Sequence, residues 1–539
     1  MRSRTDVDVV VVGAGFAGLY MVKRLVDSGF TVRCFEAGDG VGGTWYWNRY
    51  PGARCDVESV DYSYSFSEEL EQEWRWSERY ASQPEILDYL NHVADRFGLR
   101  EHITLSTRVT SAMFAEELWT VTTDTGEQVR TRFTIMASGV LSTPKPPEIE
   151  GLDTFAGATY HTGRWPHEGV DFTGLRVGVI GTGSSGVQSI PLIAEQAGEL
   201  VVFQRTPNYS VPSINYPLGE QRQVEIREEY PERRQASRNS RFGLPFVFPT
   251  TSVFAVSDEE RRRTYQNAWD NSHLLALRLT FGDILVDEQA NETVAEFLRD
   301  KIAEIVHDPE TARKLMPGSY PFGTKRPCLG TSYYETFNRD NVRLVDVLTT
   351  PIVKATRSGL ETAQESFEFD ALVYATGWDA LTGALLRIDI RGRDGRSLRE
   401  EWAAGPETYL GLSSAGFPNL FLVTGPGSPG PLSNMAVSIE QHVDWIADCL
   451  ERLRSDGVAE IEAELQAQKD WSAHVQEVVS PTLYLRANSW YLGANVPGKP
   501  RVFMPYLGGV NVYRAKCDEV AEQGYEGFVL TKGRSEAGG

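Results

Sequence analysis

Cysteine is scarce in this sequence, basic charge is in deficit, and long apolar runs are missing. The five cysteines, Cys34, Cys55, Cys328, Cys449 and Cys517, form no CxxC pair and no metal-ligand spacing, so a disulfide scaffold or zinc centre is not expected. Isolated thiols suit a reducing compartment, and a cytoplasmic location is expected. Lys and Arg number 53 against 74 Asp and Glu, a formal charge of −21. That balance argues against nucleic acid or an anionic membrane as partner, since both recruit a basic face. It leaves room for an anionic cofactor held by a few local cations. No run approaches the ~18 apolar residues of a membrane span. The opening MRSRTDVDVVVVGAGFAG has the outline of a short signal peptide, two arginines and then an apolar stretch. Aspartates interrupt it and glycines end it, so it reads as the first strand of a fold. At 539 residues the chain exceeds a single core; two to four domains and a monomer or weak oligomer are expected.

What is present is one local pattern, twice. Val7 to Val12 is continuously apolar, as a parallel strand buried on both faces should be. Gly13, Gly15 and Gly18 follow in GAGFAG, with Ala17 beside the last, and then apolar residues recur at helical spacing up to Ser28-Gly29. Glu36 ends the next strand, 23 residues after Gly13. A tight turn and a helix N-terminus suit a pyrophosphate, and an acidic residue there accepts from ribose hydroxyls. The first site is therefore expected to take an unphosphorylated adenosine, FAD or NAD. The second copy is RVGVI, then Gly181-Thr182-Gly183-Ser184-Ser185-Gly186, then a helix carrying Gln188. Here the strand that follows ends in Arg205 and Thr206, 24 and 25 residues after Gly181. A cation and a hydroxyl suit a 2′-phosphate. FAD first and NADPH second is the economical assignment, and a flavin reduced by a nicotinamide is the implied chemistry.

Between these units lie short strands from Ile103 to Gly139 and the Pro-rich connector STPKPPEIEG. From about Pro212 to Gly323 the pattern is charged and helical, with Ser257 to Glu260 fitting a capping box and Val294, Phe297, Leu298, Ile302 and Ile305 forming one stripe. The expected fold is α/β: two Rossmann-like dinucleotide-binding domains with a helical insertion in the second. The expected division is 1–145 (FAD), 146–211 (NADP), 212–321 (insertion), 322–385 (NADP) and 386–539 (FAD again), with a mobile loop near 484–500.

FAGATYHTGRWP, Phe155 to Pro166, matches FxGxxxHxxxW followed by Pro or Asp, the fingerprint that marks the Baeyer–Villiger monooxygenases. Phe155, Gly157, His161 and Trp165 hold its fixed positions. The resemblance extends along the chain through GGTWYWNRYPGARCD, YPFGTKR, YATGWD and NSWYLGANVPGKPRVFM. It implies a ketone substrate, O2, NADPH and FAD, with ester or lactone formed through a flavin C4a-peroxide. It implies that Arg326 is the fixed cation stabilising oxyanions, that Asp56 orients it, and that Lys325 joins Arg205 and Thr206 at the 2′-phosphate. By the same resemblance Thr44, Trp45, Trp47, Tyr62, Val109 and Met435 attend the flavin. Trp490 lies in the loop that folds over NADP, and His161 and Trp165 tie the connector to the domains without touching reacting atoms. Rival readings are an N- or S-oxygenating flavin monooxygenase and a non-catalytic dinucleotide-binding protein. Two departures stand out: Trp378 replaces the family's Phe, and Gly430-Pro431 replaces a Ser-Ala pair bordering the substrate pocket in phenylacetone-type enzymes. The segment FGLPFVFPTTSVF, Phe242 to Phe254, is also unusually aromatic.

Overall fold

A computed structural model describes residues 6–533; Arg2 and Arg4 of the opening segment lie outside them. Strand β1 (Val7–Val12) is followed by the helix Phe16–Asp27, with Gly29 just beyond it at φ +74°. β1 pairs in parallel with β2 (Val32–Phe35) and with β6 (Gln128–Met136). β3 (Ile103–Thr104) extends one edge; β4 (Val109–Ala115) and β5 (Leu118–Thr123) extend the other as an antiparallel meander. Val9, Val10 and Val11 have no exposed surface. An uninterrupted apolar strand can hold a central position only because both faces of its sheet are covered.

The second sheet has β7 (Ala158–His161) at one edge and β8 (Arg176–Ile180) and β9 (Glu199–Gln204) inside. It is completed by β12 (Val342–Asp346) and β16 (Ala371–Tyr374), in the order β12-β9-β8-β16-β7. All its pairings are parallel. The fingerprint is therefore less of a connector than the sequence suggests, because Ala158–His161 is an edge strand. Its short, mixed polarity follows from having one pairing partner instead of two.

Between the sheets' segments lie two strands that pair with each other, β10 (Ser210–Pro212) and β11 (Cys328–Gly330). A small antiparallel sheet of β13 (Ile352–Thr356), β14 (Gly359–Thr362) and β15 (Ser366–Glu368) follows β12. Two strands of the C-terminal third, β17 (Asp389–Arg391) and β18 (Leu420–Leu422), then return to pair with β4 and β6 of the first sheet.

The helical stretch contains Glu220–Arg238, Asp258–Asp270 and Glu288–Ile305. Ser257 caps the second of these by accepting from the Glu260 N–H. The stripe on the third divides: Val294, Phe297 and Leu298 pack with Tyr265 and Phe281, whereas Ile302 and Ile305 reach the core of the second sheet. One helix face thus anchors the insertion to the domain that carries it.

Candidate active site

The two glycine turns face one cleft of about 1490 Å³. At each turn the backbone itself excludes side chains. Gly13 has φ +102° and Gly181 φ +110°, and a Cβ there would stand 2.6 Å from the Ala137 carbonyl oxygen and 2.4 Å from that of Ala375. Gly18 and Gly186 serve the same turns from behind the cleft-lining residues. They let each helix seat on its turn, since a Cβ would fall 1.8 Å from the Gly13 oxygen and 2.4 Å from the Gly181 oxygen. The other turn residues, Gly15, Ala17, Thr182, Gly183, Ser184 and Ser185, line the cleft.

Glu36 is 5 % exposed, and its carboxylate accepts from the backbone N–H groups of Ala14 and Gly38, each at 2.8 Å. Burial raises its pKa, and those N–H donors oppose the rise. A carboxylate has about four acceptor positions, so capacity for ribose hydroxyls remains. Thr44, Trp45, Trp47, Tyr62, Val109 and Met435 all reach the same cleft, and the Trp45 indole N–H donates to the Tyr62 hydroxyl at 3.2 Å.

On the other side lie Gln188, Arg205, Thr206, Lys325 and Trp490. Lys325 is pushed down to about 8, by burial first and then by the Arg205 charge. Two neighbouring cations that form no ion pair among the described residues fit a dianionic phosphate. With the adenosine-type cradle at Glu36, the residues present fit FAD at the first turn and NADP at the second.

Arg326 enters the cleft where the two sides meet. Its Nε and Nη2 donate to the two Asp56 oxygens at 2.6 and 2.8 Å, and its Nη1 donates to the Pro431 carbonyl at 3.1 Å. Burial alone would lower the guanidinium's pKa, but the Asp56 charge and hydrogen bonds outweigh it and hold it raised. The pair is a planar fork on a carboxylate, which fixes orientation as well as charge.

The fingerprint residues stand outside the cleft. His161 Nδ1 accepts from the Gly163 N–H at 2.9 Å, so Nε2 carries the proton and donates to the Lys145 carbonyl at 3.1 Å. Burial lowers its pKa. Trp165 packs with Tyr160 and Phe172 in the second core. Phe155 packs against the small sheet's cluster, and a Cβ at Gly157 would stand 2.6 Å from the Asp370 oxygen. Sequence reasoning missed Lys145 and Arg164, which line the cleft, and, although it placed Gly430-Pro431 at the pocket rim, it missed the Pro431 carbonyl that holds Arg326. Arg164 sat within the fingerprint as the signal for itself; the Pro431 carbonyl had none.

A family model described as pyridine nucleotide-disulphide oxidoreductase matches residues 10–232. The chain is 42 % identical over 533 residues to an acetone monooxygenase (methyl acetate-forming) of Gordonia sp. (strain TY-5), covering 98 % of this chain and all of the relative. It also resembles a solved structure of oxidized steroid monooxygenase bound to NADP, at 53 % identity and a TM-score of 0.94, across 98 % and 100 % of the two chains. The chain belongs to the type I Baeyer–Villiger monooxygenases. This Baeyer–Villiger monooxygenase uses FAD and NADPH to oxidise ketones. It is also 42 % identical to the phenazine N-monooxygenase PhzNO1 of Lysobacter antibioticus, covering 98 % of both chains. Among the described residues no helix is long and apolar enough to cross a membrane.

Proposed function

We propose that Arg326, oriented by Asp56, is the catalytic cation of this Baeyer–Villiger monooxygenase. The observation that carries this reading is the two-point fork at 2.6 and 2.8 Å, aimed into the cleft between the two glycine turns. FAD supplies the oxygen chemistry when bound; the chain's part is to position the ketone, exclude water and hold a fixed positive charge beside the anionic oxygens of the reaction. Gly13, Gly15 and Glu36 hold the FAD adenosine side. The Gly181 turn takes the NADPH pyrophosphate, and Arg205, Thr206 and Lys325 its 2′-phosphate. Trp490 lines the cleft and belongs to the loop that folds over NADP. The proposed divisions fall at 145, 211, 321 and 385, and the return of β17 and β18 to the first sheet supports the last of them.

Aryl, cyclic or steroid-like ketones are the proposed substrates. Pro431 lines the cleft and binds Arg326, so the Gly430-Pro431 rim shapes the ketone pocket differently from a Ser-Ala rim. Arg326→Ala is expected to lower ester formation at least about 100-fold, the scale of losing one oxyanion donor, while anaerobic flavin reduction by NADPH persists. Ester formation near the wild-type rate would refute the assignment. Assaying a ketone and an aromatic N-heterocycle side by side separates ester from N-oxide as the main product.

A further inference from the structure

Among the described non-glycine residues with positive φ, Thr424, at φ +57°, is the only β-branched one and the only one that lines the cleft. A branched Cβ is disfavoured in left-handed backbone, and such a residue persists only where its surroundings over-determine it. The restraint here is a hydrogen bond. β18 runs parallel to β6, and just beyond it the Val423 N–H continues the ladder by donating to the Met136 carbonyl at 3.0 Å. At Thr424 the ladder stops. Its N–H donates to His442 Nδ1 at 2.9 Å, and its hydroxyl donates to the Val423 carbonyl at 2.7 Å. His442 has no exposed surface, and its Nε2 has no partner. The bond to Thr424 is therefore the one that its ring makes among the described residues. Burial holds the imidazole's pKa down, which keeps Nδ1 an acceptor. A return of Thr424 to negative φ would leave a buried donor and a buried acceptor both unpaired.

What this restraint serves is visible in the residues around Thr424. A Cβ at Gly430 would stand 3.6 Å from the Thr424 Cβ and 3.1 Å from the Met435 sulfur, so those two residues take the space a side chain at 430 would need. The carbonyl of the next residue, Pro431, accepts from Arg326 Nη1 at 3.1 Å. Thr424, Pro431 and Met435 all line the cleft, and the helix Met435–Ser455 carries both Met435 and His442. With its N–H and hydroxyl spent on the protein, Thr424 offers this wall its carbons. We propose that His442 is a positioning residue for the oxidation. By holding Thr424 left-handed it fixes the wall of Thr424, Gly430 and Met435, and with it the Pro431 carbonyl that steadies the Arg326 guanidinium. This inference rests on Arg326 as the catalytic cation.

Glycine adopts a φ of this sign freely, so Thr424→Gly removes the need for the restraint and serves as a background in which to test it. In the otherwise wild-type chain, His442→Leu with full FAD content should speed amide hydrogen exchange in residues 424–434 and lower kcat for ester formation. Each effect is expected at about tenfold, the scale of one buried hydrogen bond. The dissociation constant for NADPH should not move. In the Thr424→Gly background the same substitution should change either readout by no more than about twofold. His442→Asn, whose Oδ1 can take the place of Nδ1, should keep most of the wild-type values. Equal losses in both backgrounds would make His442 a packing residue and overturn the proposal, as would exchange at 424–434 that His442→Leu leaves unchanged. If His442→Leu alone does not accumulate, recovery of FAD-bound protein in the double variant is the same rescue read as yield, and its absence also overturns the proposal. Ester formation that survives Arg326→Ala would strike the assignment of the cation alone, because the exchange comparison is read without turnover.

Discussion

Burial and Arg205 bring Lys325 to about 8, so its charge titrates in the working range of most oxidoreductases. A 2′-phosphate beside it would favour the ammonium and raise that value in the complex. Between the free and bound pKa, binding takes up a proton, so affinity falls as pH rises. The dissociation constant for NADPH is expected to climb above pH 8 by up to about tenfold per unit, measured by fluorescence titration. Lys325→Arg should flatten the profile, because arginine stays protonated. A flat wild-type profile would remove Lys325 from the phosphate. The same reasoning separates the two adenosine sites: a buried carboxylate at Glu36 repels the phosphate that Arg205 and Lys325 attract. Glu36 and Arg205 were legible from sequence because each lies a fixed distance along the chain from its own turn. Arg326 and Asp56 are 270 residues apart, and only the resemblance to a family paired them in advance.

Helices and loops meet the cleft through close backbone contacts. The helix Phe16–Asp27 sits on its turn because Gly18 has no Cβ to meet the Gly13 oxygen at 1.8 Å. Gly18→Ala is expected to cost about 1–3 kcal/mol of stability and to release FAD, which thermal melting and the flavin-to-protein ratio would show. The segment near 484–500 is held from outside itself. Lys499 pairs with Asp379 at 2.6 Å, Lys145 Nζ donates to the Asn495 carbonyl at 2.6 Å, and Asn495 Nδ2 donates to the Trp378 carbonyl at 2.8 Å. Because His161 Nε2 binds the Lys145 carbonyl, the fingerprint and the Trp490 loop meet at one connector residue. Asp379→Asn should loosen residues 488–500, seen as faster amide hydrogen exchange, and raise KM for NADPH about two- to fivefold. Unchanged exchange would mean that the ion pair does not restrain the loop. Trp378 packs on Gly163, where a Cβ would stand 2.7 Å from its indole nitrogen; the larger ring fits because position 163 has no side chain.

At the scale of the whole molecule, the C-terminal third closes the first sheet, and a buried imidazole fastens it. His442, on the helix Met435–Ser455, accepts the Thr424 N–H at 2.9 Å through Nδ1. Burial first, and then Arg514, push His442 down to about 3; burial pushes His273 down to about 4. Both are neutral when folded and take a proton near 6.5 when unfolded. Their stabilisation is complete above about pH 6.5 and is lost as pH falls toward the folded values, by ~1.4 kcal/mol per unit for each group. The melting temperature is therefore expected to drop between pH 7.5 and 5, and His442→Gln should lessen that slope. An identical slope in wild type and variant would contradict it.

Local order along the chain settled the two glycine turns, the opposite charges that follow them and the central apolar strands. Each of these depends on spacing within one strand-turn-helix unit, where chain connectivity fixes the geometry. The structure alone brought the Pro431 carbonyl to Arg326, made part of the fingerprint an edge strand and split one helical stripe between two cores. Those contacts join segments distant in sequence, and a side chain's partner across such a distance depends on how whole domains pack.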